Sequence, residues 1–147
     1  MVNRGKIMSR YVATIAKDAD IFDAIRMMVD GNITGMPVVD EDEVLVGIIT
    51  ERDVIRGLLR TQDTEAKVRD YMTTDIVSFN EEGNLLDIIT SLVENNFRRV
   101  PIESQGKLVG IISRRDIITY IFTLALEERG VLTTAIGDRL SLEEDWQ

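Results

Sequence analysis

LVGIITERDVI, Leu45–Ile55, returns as LVGIISRRDII, Leu108–Ile118. The same apolar run, glycine, hydroxyl and Arg-Asp pair stand 63 residues apart, and similarity at a fixed spacing marks a chain built from a repeated supersecondary unit. Upstream, Met8–Pro37 aligns without a gap with Met72–Pro101 at an offset of 64, matching Asp23 with Asp87, Ile25 with Ile89, Val29 with Val93 and Asn32 with Asn96. One residue is lost where DEDE faces SQGK. A surface turn tolerates such a change in length best.

Within each repeat the periodicity changes in a fixed order. YVATI and DIVSF are rich in β-branched and aromatic residues and predict strands. DIFDAIRMMVDGN and NLLDIITSLVENN carry apolar residues at helical spacing: Ile21, Phe22, Ile25, Met28 and Val29 in one, Leu85, Leu86, Ile89, Leu92 and Val93 in the other. GMPVVD with VLVGIIT, and VPIES with KLVGIIS, predict hairpins. ERDVIRGLLR and RRDIITYIFTLALEER close the repeats as helices. The expected class is α/β (α+β), two tandem β-α-β-β-α repeats over residues 1–63 and 64–126, joined by the polar linker TQDTEAKVRD. A unit of about sixty residues is marginal alone, so the two are expected to pack about a pseudo-twofold axis, with a groove lined twice by equivalent residues.

Composition narrows the function. Apolar residues make up 44% and charged residues 29%, the balance of a globular protein. The longest apolar stretches are strand-sized, and no signal-peptide run follows the N-terminus, so a cytoplasmic protein without membrane attachment is expected. The absence of cysteine and histidine removes disulfides, thiolate and imidazole metal sites, and Cys or His catalysis. A net charge of −9 disfavours duplex nucleic acid, whose phosphates need a basic face. Positive charge is nonetheless concentrated at Arg98-Arg99, at Arg114-Arg115, and at Arg52, the counterpart of Arg115.

The opening stretch holds the chemistry. Thr50 and Asp53 form T-x-x-D at a strand-to-helix junction, and Ser113 and Asp116 repeat it. One reading is a helix N-cap, in which hydroxyl and carboxylate satisfy the first N–H groups. The other is a ligand site: a hydroxyl, a carboxylate and helix-start N–H groups with arginine nearby suit ribose hydroxyls and phosphate oxygens. Arginine at a helix start opposes its dipole, which favours an anionic partner for Arg114 and Arg115. Arg98 and Arg99 equally suit a solvated strand edge, and Met27, Met28 and Met36 suit core packing.

The repeated G-I-I-T/S-x-R-D element, the preceding GMPVVD strand and the β-α-β-β-α order resemble the cystathionine β-synthase (CBS) domain, and the tandem pair resembles a Bateman module over about residues 8 to 126. The resemblance implies a regulatory, non-catalytic module for adenosine-containing ligands: AMP, ADP, ATP or S-adenosylmethionine, with no obligatory cofactor. It implies ribose binding by Asp53 and Asp116, assisted by Thr50 and Ser113. It also places Thr14, Ile15, Gly35, Met36 and Pro37, and Ser78, Phe79, Val100 and Pro101, beside adenine. Basic residues before the hairpin proline meet phosphate in such modules; Arg98 and Arg99 in RRVP match, whereas Thr34 and Gly35 in TGMP do not, so the two sites are expected to be unequal.

A homodimer through the long apolar helices and an effector protein are the partners implied. An adaptor with vestigial clefts is the alternative to a sensor. An enzyme is the third class, with neither nucleophile nor metal cluster beside the two carboxylates. Beyond the repeats, residues 127–147 form a tail in which Leu132, Ile136 and Leu140 suggest a short helix and SLEEDWQ ends the chain acidic.

Overall fold

A computed structural model describes residues 7–10, 12–61 and 65–127; the tail's suggested helix lies outside them. Helix α1 (Ile21–Gly31) buries Ile21, Ala24 and Met28, with Ile25 packed beside them. Phe22 and Val29, expected on the same face, are 50% and 72% exposed. At about 100° per residue they sit roughly a quarter-turn round from the row through Ile21 and Met28, too far to meet a sheet packed on that row. The helix stops at Asn32, in the left-handed region at φ 50, where its N–H donates to the carbonyls of Met28 and Val29, a conformation asparagine tolerates better than most residues.

The chain returns as β2 (Gly35–Val39), which pairs antiparallel with β3 (Leu45–Thr50) from Gly35 opposite Thr50 to Val38 opposite Gly47, with a register shift at Val39. The turn is fixed by Asp40, whose Oδ1 accepts from the N–H groups of Asp42 and Val44 at 2.9 and 3.0 Å. β1 is shorter and later than YVATI implies: only Ile15–Ala16 pair, parallel to Val38 and Val39. Val12 and Thr14 carry strand-forming side chains but join no ladder. Helix α2 (Glu51–Thr61) closes the repeat. Its counterpart runs β4 (Phe79–Asn80), α4 (Leu85–Glu94), β5 (Arg99–Ser104), β6 (Lys107–Ser113) and α5 (Arg114–Glu127), with sheet order β4-β5-β6 and β4 parallel to β5. Here DIVSF contributes only its last residue to β4. Both repeats are thus β-α-β-β-α units with mixed three-stranded sheets.

The linker departs from a plain polar connection. Val68–Tyr71 form a short helix, α3, and Ala66, Val68 and Tyr71 are buried in the core of Ile15, Ile21, Met36, Val38, Ile49 and Val54. The backbone is tied at Ile21 N–H to Ala66 O, Val68 N–H to Ala19 O and Arg69 N–H to Lys17 O, each 2.9 Å. Ion pairs join Lys67 to Asp20 at 2.7 Å and Arg69 to Asp18. The Asp20 carboxylate, by hydrogen bond and charge, holds the Lys67 ammonium pKa above its ordinary value. The pair's contribution is therefore complete at neutral pH and lost as alkaline pH passes that raised value.

Two segments exchange partners. Thr73 and Ile48 share backbone bonds of 2.8 and 2.9 Å, and Ser9 and Ile111 share two of 3.0 Å. Thr73 is the counterpart of Ser9, and Ile111 of Ile48, so the segment opening each repeat pairs with the last strand of the other. The described chain accordingly divides into two compact units that cross the repeat boundary: residues 10–81 with 101–110, and residues 7–9 and 82–100 with 111–127. Among the described residues no helix is long and apolar enough to cross a membrane.

Gly57 shows how closely α3 packs. A Cβ there would lie 2.6 Å from two carbons of the Tyr71 ring, and that ring is buried. Gly57→Ala is therefore expected to lower stability by about 1–2 kcal/mol, the overpacking outweighing alanine's better helix propensity. Gly31→Ala, whose nearest neighbour would be 3.8 Å away, should not destabilise. Thermal melts of the two variants check this contrast.

Candidate functional site

The two T/S-x-x-D elements stand where β3 meets α2 and where β6 meets α5. Both build a reciprocal cap. Asp53 Oδ2 accepts from Thr50 N–H at 3.0 Å while Thr50 Oγ1 accepts from Asp53 N–H at 3.2 Å; Asp116 Oδ2 accepts from Ser113 N–H at 2.9 Å while Ser113 Oγ accepts from Asp116 N–H at 3.0 Å. The first helical N–H is used as well, Glu51 donating to Thr34 O at 2.9 Å and Arg114 to Arg98 O at 3.0 Å. The helix starts are therefore less open than the ligand reading supposes, and the capping reading describes the geometry of both.

Beyond the cap the carboxylates diverge. Asp53 is 4% exposed, and it also accepts from Thr50 Oγ1 at 3.0 Å, Arg56 Nη2 at 2.8 Å and Thr73 Oγ1 at 3.0 Å. An ionised carboxylate offers about four lone-pair sites, and these four donors fill them. Asp116 is only half-buried, and among the described residues it accepts nothing beyond the Ser113 N–H. The sequence contains part of the cause: the counterpart of Arg56 is Thr119, too short to reach back one turn, while Thr73 comes from the segment paired with Ile48. Neither Arg56 nor Thr73 is singled out by the T-x-x-D pattern; aligning the repeats one turn further would have exposed the first.

The arginines also separate. Arg114 sends Nη2 to Leu92 O at 3.0 Å and Asn96 Oδ1 at 2.9 Å, so it caps the C-terminal end of α4, where a cation is favourable. Its charge has a structural use that the sequence reading missed. Arg52, Arg98 and Arg115 are exposed, and among the described residues none of the three has a side-chain bond; Arg99 is half-buried at the start of β5.

Of the residues assigned beside adenine, Ile15, Met36, Pro37, Val100 and Pro101 are buried, Thr14, Gly35 and Phe79 are half-buried, and Ser78 is exposed. The side chains of Met36 and Val100, 2% and 1% exposed, belong to the interior, which leaves backbone as what they can offer. Met28 and Met36 are core residues, as the packing reading expects.

Comparison with known proteins agrees with the repeat geometry. The CBS domain family matches residues 5–60 and 68–123. The Methanocaldococcus jannaschii protein MJ1225 is 41% identical over 113 residues, which is 77% of this chain and 40% of that protein. The chain thus spans less than half the length of that relative. Among solved structures, CBSX2 in complex with AMP is 26% identical with a TM-score of 0.74, covering 83% of this chain and 97% of that one. The CBS domain pair of protein MJ0100, in complex with 5′-methylthioadenosine and S-adenosyl-L-methionine, is 25% identical with a TM-score of 0.68, covering 82% and 99%. With one family match on each repeat, and the same strand-helix order built twice, this chain belongs to the CBS domain family as a tandem pair, a Bateman module.

Proposed function

We propose that this chain is a cytoplasmic, non-catalytic sensor that binds an adenosine-containing ligand and thereby modulates a partner protein. The observation that carries the reading is the Asp116 carboxylate: capped on one oxygen by Ser113 N–H, half-buried at a helix start, and with acceptor capacity left for two ribose hydroxyls. Ser113 and the exposed Arg115 stand beside it in sequence. Arg98 and Arg99 precede the hairpin proline of the same repeat and supply charge suited to phosphate. That relatives of the same fold were solved with AMP, and with 5′-methylthioadenosine and S-adenosyl-L-methionine, supports the ligand class.

Partner binding has its own support. Ile55 and Leu59 on α2 are 59% and 77% exposed, and their counterparts Ile118 and Phe122 on α5 are 60% and 61% exposed. Apolar stripes repeated on both closing helices suit a homodimer or an effector interface.

Thermal-shift titration against AMP, ADP, ATP and S-adenosylmethionine tests the sensor. A ligand at a hundredfold excess over its Kd stabilises the native state by about 2.7 kcal/mol, a shift of several degrees. A selective rise with one adenosine compound is the expected result, and no rise with any of them would sink the reading in favour of an adaptor that works through its apolar stripes.

A further inference from the structure

We propose that Arg56 closes the first repeat to ligand, so that the chain carries one adenosine site, at Asp116, and a second, latent one at Asp53. The inference rests on the sensor reading above and deepens it by fixing the number of sites and the residue that sets it.

Asp53 holds in the first repeat the position that Asp116 holds in the second, with the same cap from the same backbone geometry. What differs is the supply of donors. Oδ2 of Asp53 is taken by the Thr50 N–H and hydroxyl, and Oδ1 by Arg56 Nη2 and Thr73 Oγ1. A ribose hydroxyl binds a carboxylate by donating to it, so it needs a lone pair that no protein donor holds. At Asp53 it would have to break an ion pair of 2.8 Å to gain a bond of the same charge-assisted kind. The exchange trades one charge-assisted bond for another and leaves no gain to set against the cost of ordering the ligand.

Access points the same way. The Asp53 side chain is 4% exposed while the Arg56 side chain is 47% exposed, so Arg56 lies on the solvent side of the carboxylate it binds. Asp116 has no such cover: one turn along α5 stands Thr119, which makes no side-chain bond to it among the described residues. The T-x-x-D pattern is the same in both repeats, and the residue three positions further supplies the charged donor that closes one carboxylate and is missing at the other, with the Thr73 hydroxyl sharing Oδ1 of Asp53.

Isothermal titration of the full chain with AMP and, separately, S-adenosylmethionine tests this. Wild type should bind one ligand per chain, Asp116→Ala should bind at least tenfold more weakly, and Arg56→Thr, which copies the second repeat at this position and leaves the exposed Thr73 hydroxyl able to turn to water, should bind two. Arg56→Thr combined with Asp116→Ala should bind one, and adding Asp53→Asn to that pair should abolish it. Arg56 is half exposed, so its replacement should fold; Arg56→Ala is the second variant, with circular dichroism reporting the fold of both. Two sites in wild type, or a single site in folded Arg56→Thr and Arg56→Ala, would overturn the role of Arg56 while leaving the sensor intact. Binding by neither wild type nor any variant would overturn the sensor reading, and with it this inference.

Discussion

Replacing Asp53 with Ala should cost about 1–3 kcal/mol of stability, a fall of roughly 3–9 °C in Tm for a chain of this size. The substitution removes the Asp53 half of the reciprocal cap of α2, while Thr50 Oγ1 can still accept from the backbone N–H at position 53. The half-buried Thr50 N–H loses the acceptor that held it at 3.0 Å, beside a side chain that is itself 4% exposed, whereas Thr73 is exposed and its hydroxyl can turn to water. Arg56 adds less, because its side chain is 47% exposed and water can take over. Asp53→Asn should recover part of the loss, since an amide oxygen can still accept while its NH2 faces donors that want an acceptor. Chemical denaturation with the midpoint and slope both fitted checks this; a loss under about 1 kcal/mol would mean that the four bonds at Asp53 count for little.

The companion prediction concerns Asp116. Asp116→Ala should weaken adenosine-ligand binding at least tenfold, because bonds to a charged acceptor contribute about 1.5–3 kcal/mol. Its effect on folding should stay near the 0.5–1 kcal/mol of an ordinary cap, since the carboxylate accepts one backbone N–H and is not enclosed. Two residues that the sequence presents as equals should thus separate in opposite directions, one losing stability and the other affinity. Titration calorimetry on Asp116→Ala, with a thermal melt on the same sample, distinguishes lost binding from lost fold. Unchanged affinity would remove Asp116 from the ligand site.

Much of the architecture is legible in the chain. The hairpin strands at 35–39 and 45–50 fall where two short apolar runs flank an Asp-bearing turn, and the helices fall within two residues of their periodic runs. The first strands were misplaced because strand propensity in YVATI and DIVSF is local, whereas a strand exists only where a partner offers a ladder, here opposite Val38, Val39, Ile102 and Glu103. The linker was underestimated for the converse reason. Its polar look hides three residues, Ala66, Val68 and Tyr71, that a distant core accepts.

The candidate site was legible by type and not by state. Thr50, Asp53, Ser113 and Asp116 were identifiable as two equivalent pairs, but equivalence of spacing does not fix who donates to whom. Arg114 sits by spacing among the candidate ligand residues, but its guanidinium reaches Leu92 O and Asn96 Oδ1, residues 22 and 18 positions away along the chain.

The sequence by itself therefore determined the duplication, the element order and the family, because each depends on patterns within a few tens of residues: apolar period, turn chemistry and spacing of identical motifs. The tertiary structure completed what Arg56 begins three positions along the chain, bringing the further donor that leaves the Asp53 carboxylate fully spent. Thr73 reaches Asp53, 20 positions away along the chain, because its segment pairs with Ile48 of the other repeat. Hydrogen-bond satisfaction is a count taken in space, over donors brought together by the fold, and adjacency along the chain does not supply it.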